Sequence, residues 1–333
     1  MNNQRFPLHH LSNDLCSEIL QTMDLHEMIS YLVLSKKAHA MVKSLQLPIV
    51  SVNITMKRVR PIITLQFNGF LLKFKFLIMR KISEGKTSLN DLPDRIIIVK
   101  ENERRVTSKL TTLLNQGMNL GEWIQHLCSF SKFDNSIRHH ADFYIGRMLF
   151  DTQTLRDTFP KLHSIVIDGM KAETNEHTIF TAQTILRAFL PNVECVKLND
   201  VPLQENLSSQ HIGMTNFKKL EIDYQSNLNI DDLCTLNVER YTTQTNQIPP
   251  RCLNRFFKLW IKGSNPKLKE LLILCDTVII SDWNVFLRGL KTEKVAADVD
   301  SKKFKIVNYR GICAELKIYH SDGNHSVKFK VPY

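Results

Sequence analysis

A six-residue pattern returns five times in the second half of the chain: "LHSIVI" (162–167), "VECVKL" (193–198), "FKKLEI" (217–222), "LCTLNV" (233–238) and "LKELLI" (268–273). Each reads apolar-x-x-apolar-x-apolar, and three of them follow Pro-Lys or Pro-Asn. Such a segment hides alternate side chains and exposes the rest, as a strand does. Recurrence at a few tens of residues predicts one strand per repeat, with a helix or loop returning between strands. The first positions are 31, 24, 16 and 35 residues apart. The repeat is therefore irregular, and the interval of 16 leaves hardly any room for a helix.

Returning helices are predicted at "TIFTAQTILRAFL" (178–190) and "PPRCLNRFFKLWIKG" (249–263). In the second, Leu253, Phe256, Phe257 and Trp260 fall at i, i+3, i+4 and i+7, so the aromatics belong to the core. Pro249-Pro250 suits the first turn, Gly263 the left-handed stop, and Ser264-Asn265-Pro266 the turn into the fifth strand. Arg255, Lys258 and Lys262 take the solvated side, which argues against a phosphate cradle or a membrane-surface helix. The tail "AELKIYHSDGNHSVKFKV" predicts a hairpin turning at Asp322-Gly323-Asn324 that closes the sheet edge. The pattern is that of a degenerate leucine-rich-repeat-like α/β region.

Upstream, from Leu47-Pro48, the period is 2. "VSVNITM", "PIITLQF" and "FLLKFKF" alternate apolar and polar residues between basic or Asn-Gly turns and predict a meander of strands, with another strand in "SLNDLPDRIIIVKE". "NLGEWIQHLCSF" predicts a helix with Leu120, Trp123, Ile124 and Leu127 on one face. Gly, Ser or Pro-rich linkers are absent from the sequence, so one domain is expected from 48 to 333.

The 333 residues carry a net charge of +11, and 13 Lys and Arg stand against 5 acids between 57 and 109. That excess could draw phosphate or an acidic partner. Its charges alternate with apolar residues, however, as on the solvated face of a strand, which argues against nucleic acid. The most apolar window, 62–79, is broken by Gln66, Asn68, Gly69, Lys73 and Lys75, so no membrane span is expected. Seven scattered Cys without a C-x-x-C, and an N-terminus without a signal-like apolar stretch, predict an intracellular, reduced protein.

Residues 6–45 switch to period 3.6 and read as three short helices. Ser12 caps the first, whose stripe is Leu15, Cys16, Ile19, Leu20 and Met23. Asp24 opens a second with Glu27 three residues on and a stripe of Leu25, Met28, Ile29 and Leu32. Ser35 opens a third along Ala38, Met41, Val42 and Leu45. About 40 residues bury too little surface to fold alone. Periodicity leaves two occupants for the apolar faces, the rest of the chain or a partner protein.

The run Leu11-Ser12-Asn13-Asp14-Leu15, then Ile19-Leu20, Met23-Asp24-Leu25, Met28, Leu32 and Leu34-Ser35-Lys36-Lys37, resembles an F-box. Ser12 stands where that module has Pro, and Leu34 where it has Val. Residues 216–273, most of all "LNRFFKLWIKGSNPKLKEL", resemble the type-2 F-box-associated domain of a large nematode F-box family. The resemblance implies an F-box at 5–47, then a leucine-rich-repeat-like substrate region at 48–333 that includes the associated domain at 190–274. It implies a substrate receptor of an SCF-type cullin ubiquitin ligase, a monomer within that complex, cytoplasmic or nuclear. Leu11, Leu15, Ile19, Leu20, Met23, Leu25, Met28, Ile29, Leu32, Ser35 and Lys36 would form the module that binds the Skp adaptor, some of them holding the helices together.

Sequence motifs for chemistry are missing. Gly-x-Ser-x-Gly and His-Glu-x-x-His do not occur. Gly85-Lys86-Thr87 lacks the upstream Gly of a P-loop, and His9-His10 and His139-His140 are neighbours that point apart on helix or strand. A non-catalytic chain without cofactor or metal is expected, with an unidentified protein substrate as its other partner.

Overall fold

The computed structural model describes the chain outside residues 1–10, 25–26, 29–30, 32–35, 58–59, 79–86, 103–106, 116, 132–136, 147, 170–175, 203–211, 227–228, 247, 276–282, 299–300, 322–323 and 333. It is a mixed α/β protein built on extensive sheet. Two compact units divide it: Met1–Ala141 with Thr154–Pro160, and Asp142–Gln153 with Lys161–Tyr333.

The first unit starts with helices α1 (Asn13–Thr22) and α2 (Lys36–Ser44). Strands β1 (Ile49–Met56), β2 (Ile62–Phe67), β3 (Phe70–Leu77), β4 (Arg95–Asn102) and β5 (Thr107–Leu114) follow in that order, and β6 (Arg138–Tyr144) belongs to this unit up to Ala141. From β1 to β5 the pairing is antiparallel throughout. The predicted alternation holds: Leu72, Phe74 and Phe76 are fully buried, while Lys73 lies on the other face and pairs with Glu101 at 2.6 Å. Helix α3 (Leu120–Cys128) covers the buried face. Its Trp123 is fully buried 5.7 Å from the Phe76 ring, and the indole N–H donates to Asn115 Oδ1 at 3.1 Å. Each such aromatic contributes about 2–3 kcal/mol of burial. A short helix, α4 (Thr152–Thr158), follows.

In the second unit β7 (Ser164–Asp168), β8 (Cys195–Asn199), β9 (Lys219–Ser226), β10 (Arg240–Thr245) and β11 (Glu270–Cys275) form a parallel ladder in chain order. Helix α5 (Glu176–Phe189) returns the chain between β7 and β8. Helix α6 (Ile230–Cys234) lies between β9 and β10, and α7 (Pro250–Ile261) between β10 and β11. Beyond them come α8 (Trp283–Leu287) and strands β12 (Glu293–Asp298), β13 (Ser301–Val307), β14 (Cys313–Ser321) and β15 (Asn324–Lys330). Strand β15 pairs antiparallel with β11, β14 with β15, β13 with β14, and β12 with β13.

Register explains the repeat. Ile165, Val196, Leu220, Tyr241 and Leu271 are direct partners across the five parallel strands, and each is buried. So are Ile167, Leu198, Ile222, Thr243 and Ile273, the next row along. Four of the five predicted strands contribute to both rows. "LCTLNV" does not: Leu233 lies in α6, and the fourth strand is Arg240–Thr245. The matching six residues are "VERYTT" (238–243), which restores intervals of 31, 24, 21 and 30 residues and makes room for α6. The tail pairs as an antiparallel hairpin of β14 and β15, with residues 322–323 of the predicted turn outside the described residues, but it does not close the edge, because β13 and β12 continue the sheet past it.

Candidate partner-binding surfaces

Helix α1 forms where the period 3.6 stripe places it. The Ser12 hydroxyl accepts a hydrogen bond from the Leu15 N–H at 3.4 Å, so the cap needs no Pro. Burial separates the predicted adaptor residues. Leu20 is fully buried and Met28 nearly so, together with Cys16, Ala38, Met41 and Val42. Leu15 is 49% exposed, and Leu11, Ile19 and Met23 are half-buried. Leu15 and Ile19, one turn apart, therefore form an open apolar edge on α1. The Asp24 carbonyl accepts from Glu27 and Met28 N–H at 2.8 and 2.9 Å, the first turn of the predicted second helix. Leu25, Ile29, Leu32 and Ser35 lie outside the described residues, and Lys36 begins α2.

On the solvent side of the parallel ladder several charges find opposite partners, although Lys219 also stands opposite Arg240. Glu221 takes both Lys219 and Lys197, the latter at 3.5 Å, while Glu194 takes Lys218 at 2.6 Å and Glu239 takes Lys269 at 2.8 Å. The hydrogen bond from Lys218 holds the Glu194 carboxyl below its ordinary range. Across the next strands the row Glu270, Lys330, Glu315, Lys305, Glu293 alternates strictly in sign.

A cavity of about 200 Å³ opens where α7 ends, between its Gly263 turn and the β13–β14 turn. Trp260, Leu268, Pro266 and Val331 give it apolar walls, and Tyr309 and Arg310 stand at it from the other turn. Helix α7 stops as predicted. Gly263 has φ +102, and Gly263 and Ser264 N–H groups donate back to the Trp260 and Leu259 carbonyls at 2.9 and 3.0 Å. The same turn is held from within. Asn265, at φ 52 and buried, donates from Nδ2 to the carbonyls of Leu233, Cys234 and Leu236 at 3.1, 3.2 and 2.9 Å. Asn254 of α7 likewise donates to the Phe286 and Arg288 carbonyls at 2.6 and 3.0 Å. Both asparagines escape a reading by apolar pattern, since each is a buried polar side chain at a helix or turn position.

Among the described residues no group of three or more His, Cys, Asp and Glu is placed to hold a metal, and no helix is long and apolar enough to cross a membrane. His139 is buried on β6 beside half-buried His140, neighbours on opposite faces of the strand.

Residues 208–273 match the model of a family described as F-box associated. This span holds β9, α6, β10, α7, the Gly263 turn and β11 up to Ile273. No curated protein and no solved structure matches the chain.

Proposed function

We propose that the protein is a substrate receptor of an SCF-type cullin ubiquitin ligase. Residues 5–47 act as the F-box that binds the Skp adaptor, and the leucine-rich-repeat-like region at 48–333, with its type-2 F-box-associated domain at 190–274, binds a protein substrate. The observation that carries the reading is the match of 208–273 to the F-box-associated family. It is supported by α1, whose Ser12 cap and open Leu15 and Ile19 edge suit a helix received by another protein. In this role the chain forms and breaks no bond. It holds a substrate beside the transferring subunits, so that its contribution is the effective concentration of substrate lysines.

Co-purification of the full chain with the Skp adaptor tests this. The intact chain is expected to capture the adaptor, and Leu15→Asp to abolish capture with the unfolding transition unchanged. Failure of the intact chain to form a complex would sink the ligase reading and leave a scaffold that only binds its partner.

A further inference from the structure

Past the parallel ladder the sheet face carries a longer run of like charges. Lys328 of β15, Lys317 of β14 and Lys303 of β13 are direct cross-strand partners, three like charges in a row over about 10 Å. Their chain neighbours Phe329, Leu316 and Phe304 face the core, so the three lysines stand on the solvent side. Like charges directly opposite destabilise a sheet, and two residues along the same three strands the sequence solves the problem with Lys330, Glu315 and Lys305. Glu315 reaches back to Lys303 at 2.7 Å, and the Lys317 ammonium lies 4.5 Å over the Tyr319 ring.

From β11 to β13 the row beyond the lysines is uncharged, and it ends on Asp298 of β12, the partner of Ser301. Leu274, Ser326, Tyr319 and Ser301 are partners across β11, β15, β14 and β13, and Leu274 is 41% exposed. A cationic row beside an open aliphatic and aromatic row is complementary to a chain segment that carries carboxylates and an apolar side chain together. A nucleic-acid backbone fits less well. Its phosphates repeat without apolar interruption, the face offers no arginine on β13, β14 or β15, and Glu315 and Glu270 flank the lysines on the other side.

We infer that the solvent face of β13, β14 and β15 is a docking surface for an acidic, Leu-bearing segment of a protein partner, seated on Lys303, Lys317 and Lys328 with its apolar side chain against Leu274 and Tyr319. As the site of the ligase substrate this rests on the proposed receptor function; as a binding surface it stands on the sheet alone.

The test is direct binding to the full chain, without adaptor, of a synthetic peptide with a run of glutamates around a central leucine. Its Glu→Gln counterpart and a single-stranded RNA of equal charge serve as comparisons. Saturable, salt-weakened binding of the acidic peptide alone is expected. The variant K303Q/K317Q/K328Q is expected to lower affinity about tenfold, and Lys197→Gln, on the same face but paired with Glu221, to leave it unchanged. The triple variant is also expected to be no less stable than the parent, since it removes repulsion. Equal binding by the triple variant, no binding by the parent, or tighter binding of the RNA overturns the inference. None of these outcomes bears on adaptor capture, so the two readings fail separately.

Discussion

Gly263 lies under the Tyr309 ring, so closely that a Cβ on Gly263 would collide with Tyr309 Cε1. The Tyr309 N–H also donates to the Ile261 carbonyl at 2.8 Å, which ties the β13–β14 turn to the end of α7. Two penalties meet Gly263→Ala, the ring contact and the positive φ. The ring is 61% exposed and can swing outward, whereas the backbone cannot leave φ +102 without losing the helix stop. Backbone strain is thus the larger effect, and Gly263→Ala is expected to cost about 1–2 kcal/mol in urea unfolding. Adding Tyr309→Ala is expected to recover only a minor part; full recovery would make the ring contact the dominant penalty.

Asn265 joins two successive units of the parallel ladder through three carbonyls at the end of α6. Asn265→Ala leaves those carbonyls without their donor in a buried place and gives up an αL-tolerant residue. The expected loss is about 2–3 kcal/mol. Asn265→Asp has nearly the same shape but turns a carboxylate toward three carbonyl oxygens, so its loss is expected to exceed that of the alanine variant at neutral pH. Thermal unfolding of the two variants side by side checks the order.

The stripe on α1 was legible from spacing, yet spacing does not say which of its residues the chain itself uses. Burial does. Leu20→Ala is expected to cost about 2–4 kcal/mol, because a fully buried leucine leaves a cavity, whereas Leu15→Ala is expected to change stability by less than about 0.5 kcal/mol. A stability loss at Leu15 as large as at Leu20 would mean that α1 is covered on both sides by the chain.

Four of the five ladder strands were legible because their inward residues are aliphatic or Phe. The fourth was not, since its inward side chains are Tyr241, Thr243 and Thr245, polar by a binary pattern but good strand formers. The segment before it imitated a strand: Leu233, Leu236 and Val238 are all buried, but they reach the core from α6 and the turn behind it. Local spacing does not tell a strand from a helix end whose residues fall in the same order. The lysine row was invisible for a different reason. Lys303, Lys317 and Lys328 meet only through the register of three strands, and no single stretch of sequence contains the juxtaposition.

His39 and His126 give the first unit an acid-sensitive joint between α2 and α3. Their rings lie 4.0 Å apart, with Phe130 at the edge of both and Trp123 at the edge of His126, and His39 Nε2 is 2.9 Å from the Ser129 hydroxyl. Burial first, and the neighbouring His39 second, push His126 down to about 4 from its ordinary 6.5. His39 is also lowered, chiefly by burial, with Lys43 adding to it. On β6, burial and His140 push His139 down to about 4 as well. In every case the folded state prefers the neutral ring, so the unfolded chain binds more protons between about pH 4 and 6.5. Stability from these residues is fully present above about 6.5, falls as pH drops through that window, and levels off below about 4. Urea midpoints measured from pH 7.5 to 4 are expected to show that decline. His126→Phe keeps an aromatic against Trp123 and Phe130 while removing one titrating ring. It is expected to flatten the decline without abolishing it, the remainder belonging to His39 and His139. An unchanged slope in this variant would mean that the ring pair takes up its proton without cost to the fold.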